Sequence, residues 1–179
     1  VLGDENTVLL AWTTTPWTLP SNMALCVGAA ITYVKAQLEE GGPVYVVAEA
    51  LKDAVLGENA TVVGTCTGAD LVGLEYVPLW DTFADAKAEG AFRVVADDYV
   101  STESGTGIVH QAPAFGEDDA RVCQREGVPM RDATNDEGRF TDAFPLVEGQ
   151  LVKDADKTII RDLKERGRLF KQATIDHDY

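Results

Sequence analysis

Short apolar runs, broken at glycines and prolines, dominate the pattern of this chain, and long stripes of helical period are few. Residues 7–12 (TVLLAW) form a continuous apolar run, Thr32–Gln37 (TYVKAQ) alternates, and 43–47 follows the turn pair Gly41 and Gly42; each pattern predicts a strand. Thr61–Thr67 (TVVGTCT), 92–96, 107–111 (GIVHQ) and 169–174 predict four more. Helical character is confined to 49–56, stopped by Gly57; to 116–127, with acids first, Arg125 late and Gly127 as the stop; and to 156–166, where Ile159, Ile160 and Leu163 make one apolar stripe before Gly167. The stretch 68–80 (GADLVGLEYVPLW) has no clear period, and 132–138 is a loop rich in Asp, Asn and Gly. With no repeat and no linker, residues 1–179 read as a single α+β domain built round an antiparallel or mixed sheet, open or closed into a barrel.

Composition narrows the class. At 179 residues and 45% hydrophobic side chains the chain can bury one sizeable core, and no apolar run approaches the roughly 20 residues of a membrane helix. The segment VLGDENTV lacks the basic and apolar regions of a secretory signal, so a cytoplasmic protein with no membrane partner is expected. Cys26, Cys66 and Cys123 are odd in number and widely spaced, which suits buried thiols better than disulfides or a zinc site. A net charge of -15 argues against a domain that grips nucleic acid through its phosphates by itself.

Two stretches carry candidate chemistry. In AWTTTPWTLPSN, Thr13, Thr14, Thr15 and Thr18 gather around Trp17, Asn22 and two prolines; Pro16 and Pro20 forbid a helix or central strand, so a polar strand tip is expected. In VHQAPAFGEDD, His110 ends a predicted strand and Asp119 follows it by nine residues at a predicted helix start. Plain structural readings exist for both, since threonine runs suit strands and acids suit the first turn of a helix. A carboxylate held ionised by the helix dipole also suits a ligand cation such as an amino group. Clustered neutral hydroxyls suit holding a carbonyl and one water while the water attacks an already activated ester. There is no GxSxG elbow, and neither a second histidine nor a cysteine lies at ligand spacing from His110, so no metal and no cofactor is expected.

Together, TTTPWTLPSN and GTGIVHQAPAFGEDD resemble the two signature segments of the editing domain, connective peptide 1, of isoleucyl-tRNA synthetases. Valine and leucine relatives typically resemble TTRPET or TTRPDT in the first segment, so TTTPWT favours the isoleucine branch. The resemblance covers essentially the whole chain. It implies a β-barrel-centred α+β domain with peripheral short helices, 1–179 being one editing domain of a larger class I synthetase whose remainder is its partner, with the isolated domain monomeric. It implies proofreading: hydrolysis of valyl-tRNA(Ile) at its 3′ end, or of valyl-adenylate, with isoleucine excluded by size. By motif position, Asp119 would bind the α-ammonium, and His110 would shape the pocket that excludes isoleucine and contact the terminal adenosine or the water. Thr13, Thr14 and Thr15 would position ester and water, and Trp17, Thr18 and Asn22 would line the pocket or meet the 3′ adenosine. A neighbouring ribose hydroxyl would assist the water. No HIGH-like or KMSKS-like segment occurs, so no aminoacylation is expected. Where many bacterial relatives have GHGPDD this chain has AFGEDD; a second histidine is missing, and Phe115 is expected to pack. The competing reading is a non-catalytic module that only docks an aminoacyl or tRNA 3′ end.

Overall fold

The computed structural model describes residues 7–103 and 105–170, and the chain divides into two compact units, 1–132 and 133–179. The first unit is built on seven short strands. β1 (Thr7–Leu9), β4 (Val44–Ala48), β3 (Thr32–Gln37) and β5 (Thr61–Thr67) form one sheet in the order β1-β4-β3-β5. β6 (Arg93–Ala96), β2 (Ala24–Val27) and β7 (Ile108–Gln111) form the other, in the order β6-β2-β7. Both sheets are mixed: β1 runs parallel to β4 and β2 to β6, whereas β3 is antiparallel to β4 and β5, and β2 to β7.

β2 was not expected. Its four residues, ALCV, are all buried, and a continuous apolar run of that length has no alternation to tell a buried strand from a buried helical turn. It is nevertheless the central strand of the second sheet, and its register sets Leu25 opposite His110. The predicted strands at 32–37 and 61–67 match β3 and β5 residue for residue. Leu169 and Phe170 lie outside any strand, and the rest of the predicted 169–174 strand lies outside the described residues.

The sheets are stitched along one side. Trp12 forms an isolated bridge with Val109, the Ala48 amide donates to Thr106 O (2.8 Å), and the buried Thr106 hydroxyl donates to Leu10 O (2.6 Å). Gly107 is needed at this seam: its φ is +83°, and a Cβ there would meet Ala48 Cβ at 2.5 Å. Buried Tyr33 braces the seam, donating to Gly107 O (2.6 Å) and accepting from the Gly28 amide (3.0 Å). On the far edge, β6 takes Glu75 in an antiparallel bridge. The described strands thus make two mixed sheets joined at one seam, with short helices, and hydrogen bonds closing them into one barrel are not found among the described residues.

Helix α3 (Glu117–Glu126) buries Val122 and Cys123 among Met23, Ala24, Cys26 and Val95, which packs it on the β6-β2-β7 sheet. Burial pushes the Cys26 and Cys123 thiols up to about 12, which leaves them unreactive; Cys66 is half-buried. Two shorter helices, α1 (Lys52–Leu56) and α2 (Gly68–Leu71), flank the sheets, α2 starting at a Thr67–Asp70 capping box. In the second unit α4 (Val152–Glu165) starts four residues earlier than the pattern predicts, and its buried face is Ala155, Ile159 and Leu163 rather than one including Ile160. Phe140 and Phe144, ring centroids 5.7 Å apart, are buried in the same unit.

Candidate functional site

After β1 the chain does not continue as a strand to Thr15. Past the Trp12 bridge it turns through Thr13–Thr15 into a 3-10 helix, Pro16–Ser21, that contains both prolines. The prolines exclude an α-helix but not this. Pro16 sits at the first helical position, where no N–H is required, and the bonds Thr18 N→Thr15 O and Asn22 N→Leu19 O (3.0 Å each) bypass the missing proline donors. The threonines consequently fold back on one another. Thr13 Oγ1 accepts from the Thr15 amide (3.0 Å), the Thr13 and Thr15 hydroxyls are 3.3 Å apart, and Thr18 Oγ1 donates to Thr15 O (2.9 Å).

These hydroxyls line one wall of a cleft of about 390 Å³, whose other walls come from β7, the loop before it and the start of α3. Thr13, Thr14, Thr15, Thr18, His110 and Asp119 all line it, so residues about a hundred positions apart in the sequence share one cavity of small-ligand size. Two candidates lie elsewhere. Trp17 packs edge-on against Phe115 (centroids 4.8 Å, 71°), and it is Phe115 that reaches the cleft. Asn22 stands behind His110. Two aromatic residues not singled out from the sequence do line the cleft: Trp12, 48% exposed and resting on Gly105, and Tyr99. The exposed tryptophan could have been noticed, since a large aromatic beside a polar loop is a common ligand platform.

His110 is held from both sides. Asn22 Nδ2 is 2.7 Å from Nδ1, and Thr18 Oγ1 is 2.9 Å from Nε2. Burial pushes its pKa down to about 4, so the ring is neutral near pH 7 with both nitrogens engaged. In this arrangement it is a wall and a hydrogen-bonding partner, and neither nitrogen is free to take a proton from water.

Asp119 sits in the first turn of α3, and Gly116 at the N-cap makes room for it: a Cβ on Gly116 would lie 2.9 Å from the Asp119 carboxyl carbon. One carboxylate oxygen accepts from the Ala112 amide (2.8 Å). The helix start favours the ionised carboxylate, while burial pushes its pKa up, with Asp118 adding to the rise, and outweighs the amide that pulls it down. The charge is under-compensated, which is the condition under which an arriving cation is most welcome. At the outer side of α3, Arg121 and Arg125 clasp Asp97, just beyond β6, with N–O distances of 3.0 and 2.7 Å, anchoring the helix that carries Asp119.

No family model matches the chain. By fold it stands with the editing domains of aminoacyl-tRNA synthetases. The crystal structure of GlLeuRS-CP1 matches with a TM-score of 0.66 over 97% of this chain and 85% of that one, at 15% identity. The P. knowlesi cytosolic leucyl-tRNA synthetase editing domain matches with 0.52 over 67% and 52%, at 17% identity. Sequence narrows the family: the isoleucine–tRNA ligase of Bdellovibrio bacteriovorus is 50% identical over 182 residues, 100% of this chain and 17% of the relative. The cytoplasmic isoleucine–tRNA ligase of Saccharomyces cerevisiae is 48% identical over 188 residues, again 100% of this chain and 18% of the relative. The chain belongs to the isoleucyl-tRNA synthetase family, and it spans about a sixth of the length of these relatives. Among the described residues no helix is long and apolar enough to cross a membrane.

Proposed function

We propose that this chain is the single editing domain of a cytoplasmic isoleucyl-tRNA synthetase, acting as a hydrolase on valyl-tRNA(Ile). The observation that carries the reading is the shared cleft, in which an under-compensated carboxylate faces a loop of hydroxyls across a neutral histidine. Asp119 takes the α-ammonium of the misplaced valyl group as a charge-assisted pair. The Thr13, Thr14 and Thr15 hydroxyls hold the ester and orient one water at its carbonyl carbon. The water oxygen bonds to that carbon, the bond to the ribose oxygen breaks, and the proton lost by the water is matched by the one the ribose oxygen gains, leaving valine and a free tRNA end. With both His110 nitrogens engaged, a vicinal ribose hydroxyl of the substrate is the group assigned to assist the water.

The need for such a step is physical. In an apolar pocket one methylene separates isoleucine from valine by only about 1–3 kcal/mol, a limit known for this amino-acid pair itself, so a second sieve must reject the product of the wrong size. His110, backed by Thr18 and Asn22, is the wall against which the longer isoleucyl side chain is excluded. Trp12 offers an open aromatic face for the terminal adenine, a role for which Trp17, covered by Phe115, is less suited. At a charge of -15 the phosphate contacts of a tRNA are left to the rest of a synthetase chain, and the domain acts as a monomer on the 3′ end alone.

The test is hydrolysis of valyl-tRNA(Ile) and isoleucyl-tRNA(Ile) by the chain placed in its parent synthetase. Release of valine with sparing of isoleucine is expected. Equal treatment of both esters, or none released from either, overturns the reading.

A further inference from the structure

Tyr76 lies in the stretch without readable period, at the edge of β6, where its amide donates to Phe92 O (3.0 Å) and its ring packs edge-on against the Phe92 ring at 6.0 Å. Its hydroxyl donates to Asn22 Oδ1. On its other side, the Asn22 amide gives one hydrogen to Ala24 O (2.9 Å) and the other to His110 Nδ1 (2.7 Å). Turning that amide over would set Oδ1 against the Ala24 carbonyl and deprive the tyrosine of its acceptor, so its orientation is set from two sides. Nδ1 is therefore an acceptor, and a neutral imidazole must then carry its proton on Nε2. That proton goes to Thr18 Oγ1 (2.9 Å), whose own hydrogen goes to Thr15 O (2.9 Å). Four donors in succession point the same way, from Tyr76 beneath the cleft to the threonine loop that lines it.

We propose that Tyr76 is a positioning residue that, through Asn22, holds His110 as the Nε2–H tautomer and so sets the direction in which the Thr18 hydroxyl points, toward Thr15 O and away from His110. Burial keeps the Tyr76 phenol well above its usual pKa, so it stays a donor, and the depressed His110 pKa keeps the ring neutral. In the opposite tautomer Nε2 would accept, the Thr18 hydroxyl would swing toward it, and Thr15 O would keep only the Thr18 backbone amide. The geometry stands by itself; only its consequence for substrate selection rests on the hydrolase reading.

The measurement is a long-range proton–nitrogen correlation spectrum of the isotope-labelled chain, which has only two histidines, His110 and His177, so that His110→Ala assigns the signals. The native spectrum is expected to show a bare Nδ1 and a protonated Nε2 for His110; the reverse overturns the proposal. Tyr76→Phe keeps the ring on Phe92 and removes only the hydroxyl. A mixture of tautomers is expected, with discrimination between valyl and isoleucyl esters falling about tenfold, or about 1.4 kcal/mol. An unchanged tautomer, or a variant that no longer folds, makes Tyr76 merely structural and overturns its positioning role. Asn22→Asp places an acceptor against Nδ1 and is expected to force the Nδ1–H form; persistence of Nε2–H sinks the relay. A shifted tautomer with unchanged discrimination supports the relay while removing His110 from size selection. Absence of hydrolysis by the native protein defeats the hydrolase reading and leaves the tautomer result standing.

Discussion

The two ends of the α3 environment shift two aspartates in opposite directions. Asp97, with a side chain 8% exposed, receives both Arg121 nitrogens, Arg125 and the Tyr99 amide, and these hold its carboxyl well below the usual range. Asp119, at the N-terminal end and also partly buried, receives only backbone amides, those of Ala112 and its own residue, and burial pushes its pKa up. Both carboxylates sit on the same sheet-and-helix unit, yet one has every lone pair answered and the other does not. A carboxylate supplied with two guanidiniums is architecture; one left short of positive charge in a cleft is a receptor.

Replacing each aspartate by asparagine breaks this contrast most directly. Asp119→Asn keeps an acceptor for the Ala112 amide but removes the charge, and kcat/KM for valyl-tRNA(Ile) is expected to fall about a hundredfold, the scale of a charge-assisted hydrogen bond worth about 2–3 kcal/mol. An unaffected rate in that assay would end the assignment. The same variant is expected to melt no lower than the native chain near neutral pH. Because the folded pKa of Asp119 is raised, the folded state binds its proton more tightly than the unfolded one, so its contribution is full in acid and is lost as pH rises through the folded value. Asp97 runs the other way: its depressed pKa contributes stability above the unfolded carboxylate value, and that stability is lost as pH falls toward the folded one. Asp97→Asn is therefore expected to lower Tm by several degrees near pH 7 and to flatten the acid limb of Tm against pH, while leaving ester selection in place.

Between these poles lie the walls of the cleft. His110→Ala opens the wall, and hydrolysis of isoleucyl-tRNA(Ile), measured against valyl-tRNA(Ile), is expected to rise roughly 10–200-fold, the range a methylene can command. Trp12→Ala removes the exposed ring, and a smaller effect is expected, a rise in KM equivalent to about 1–3 kcal/mol of lost stacking with kcat little changed. A kcat effect there would mean that the ring orients the ester rather than the adenine.

What is legible in the sequence alone is local. β3 and β5 alternate or carry β-branched residues, α3 carries its charges in dipole order with a glycine stop, and the two motifs carry the family. The elements not anticipated carry only ambiguous local signals. β2 is apolar throughout, because it lies in the middle of its sheet, and the 3-10 helix Asp81–Glu89 has a weak pattern interrupted by a kink at Phe83. The prolines of PWTLPS bar an α-helix, yet a 3-10 turn dispenses with the donors they lack.

By itself, then, the sequence determined residue chemistry, charge and family, since these depend on side chains and their order alone. Tertiary structure decided which of those residues meet. Only the pairing of β2 with β7 sets Leu25 opposite His110, only the packed α3 turns Asp119 into the cleft, and only the fold sends Trp17 to Phe115 while leaving Trp12 open. Burial and hydrogen-bond partners come from residues far apart in the chain, and they alone raise one aspartate, lower another and fix a histidine proton.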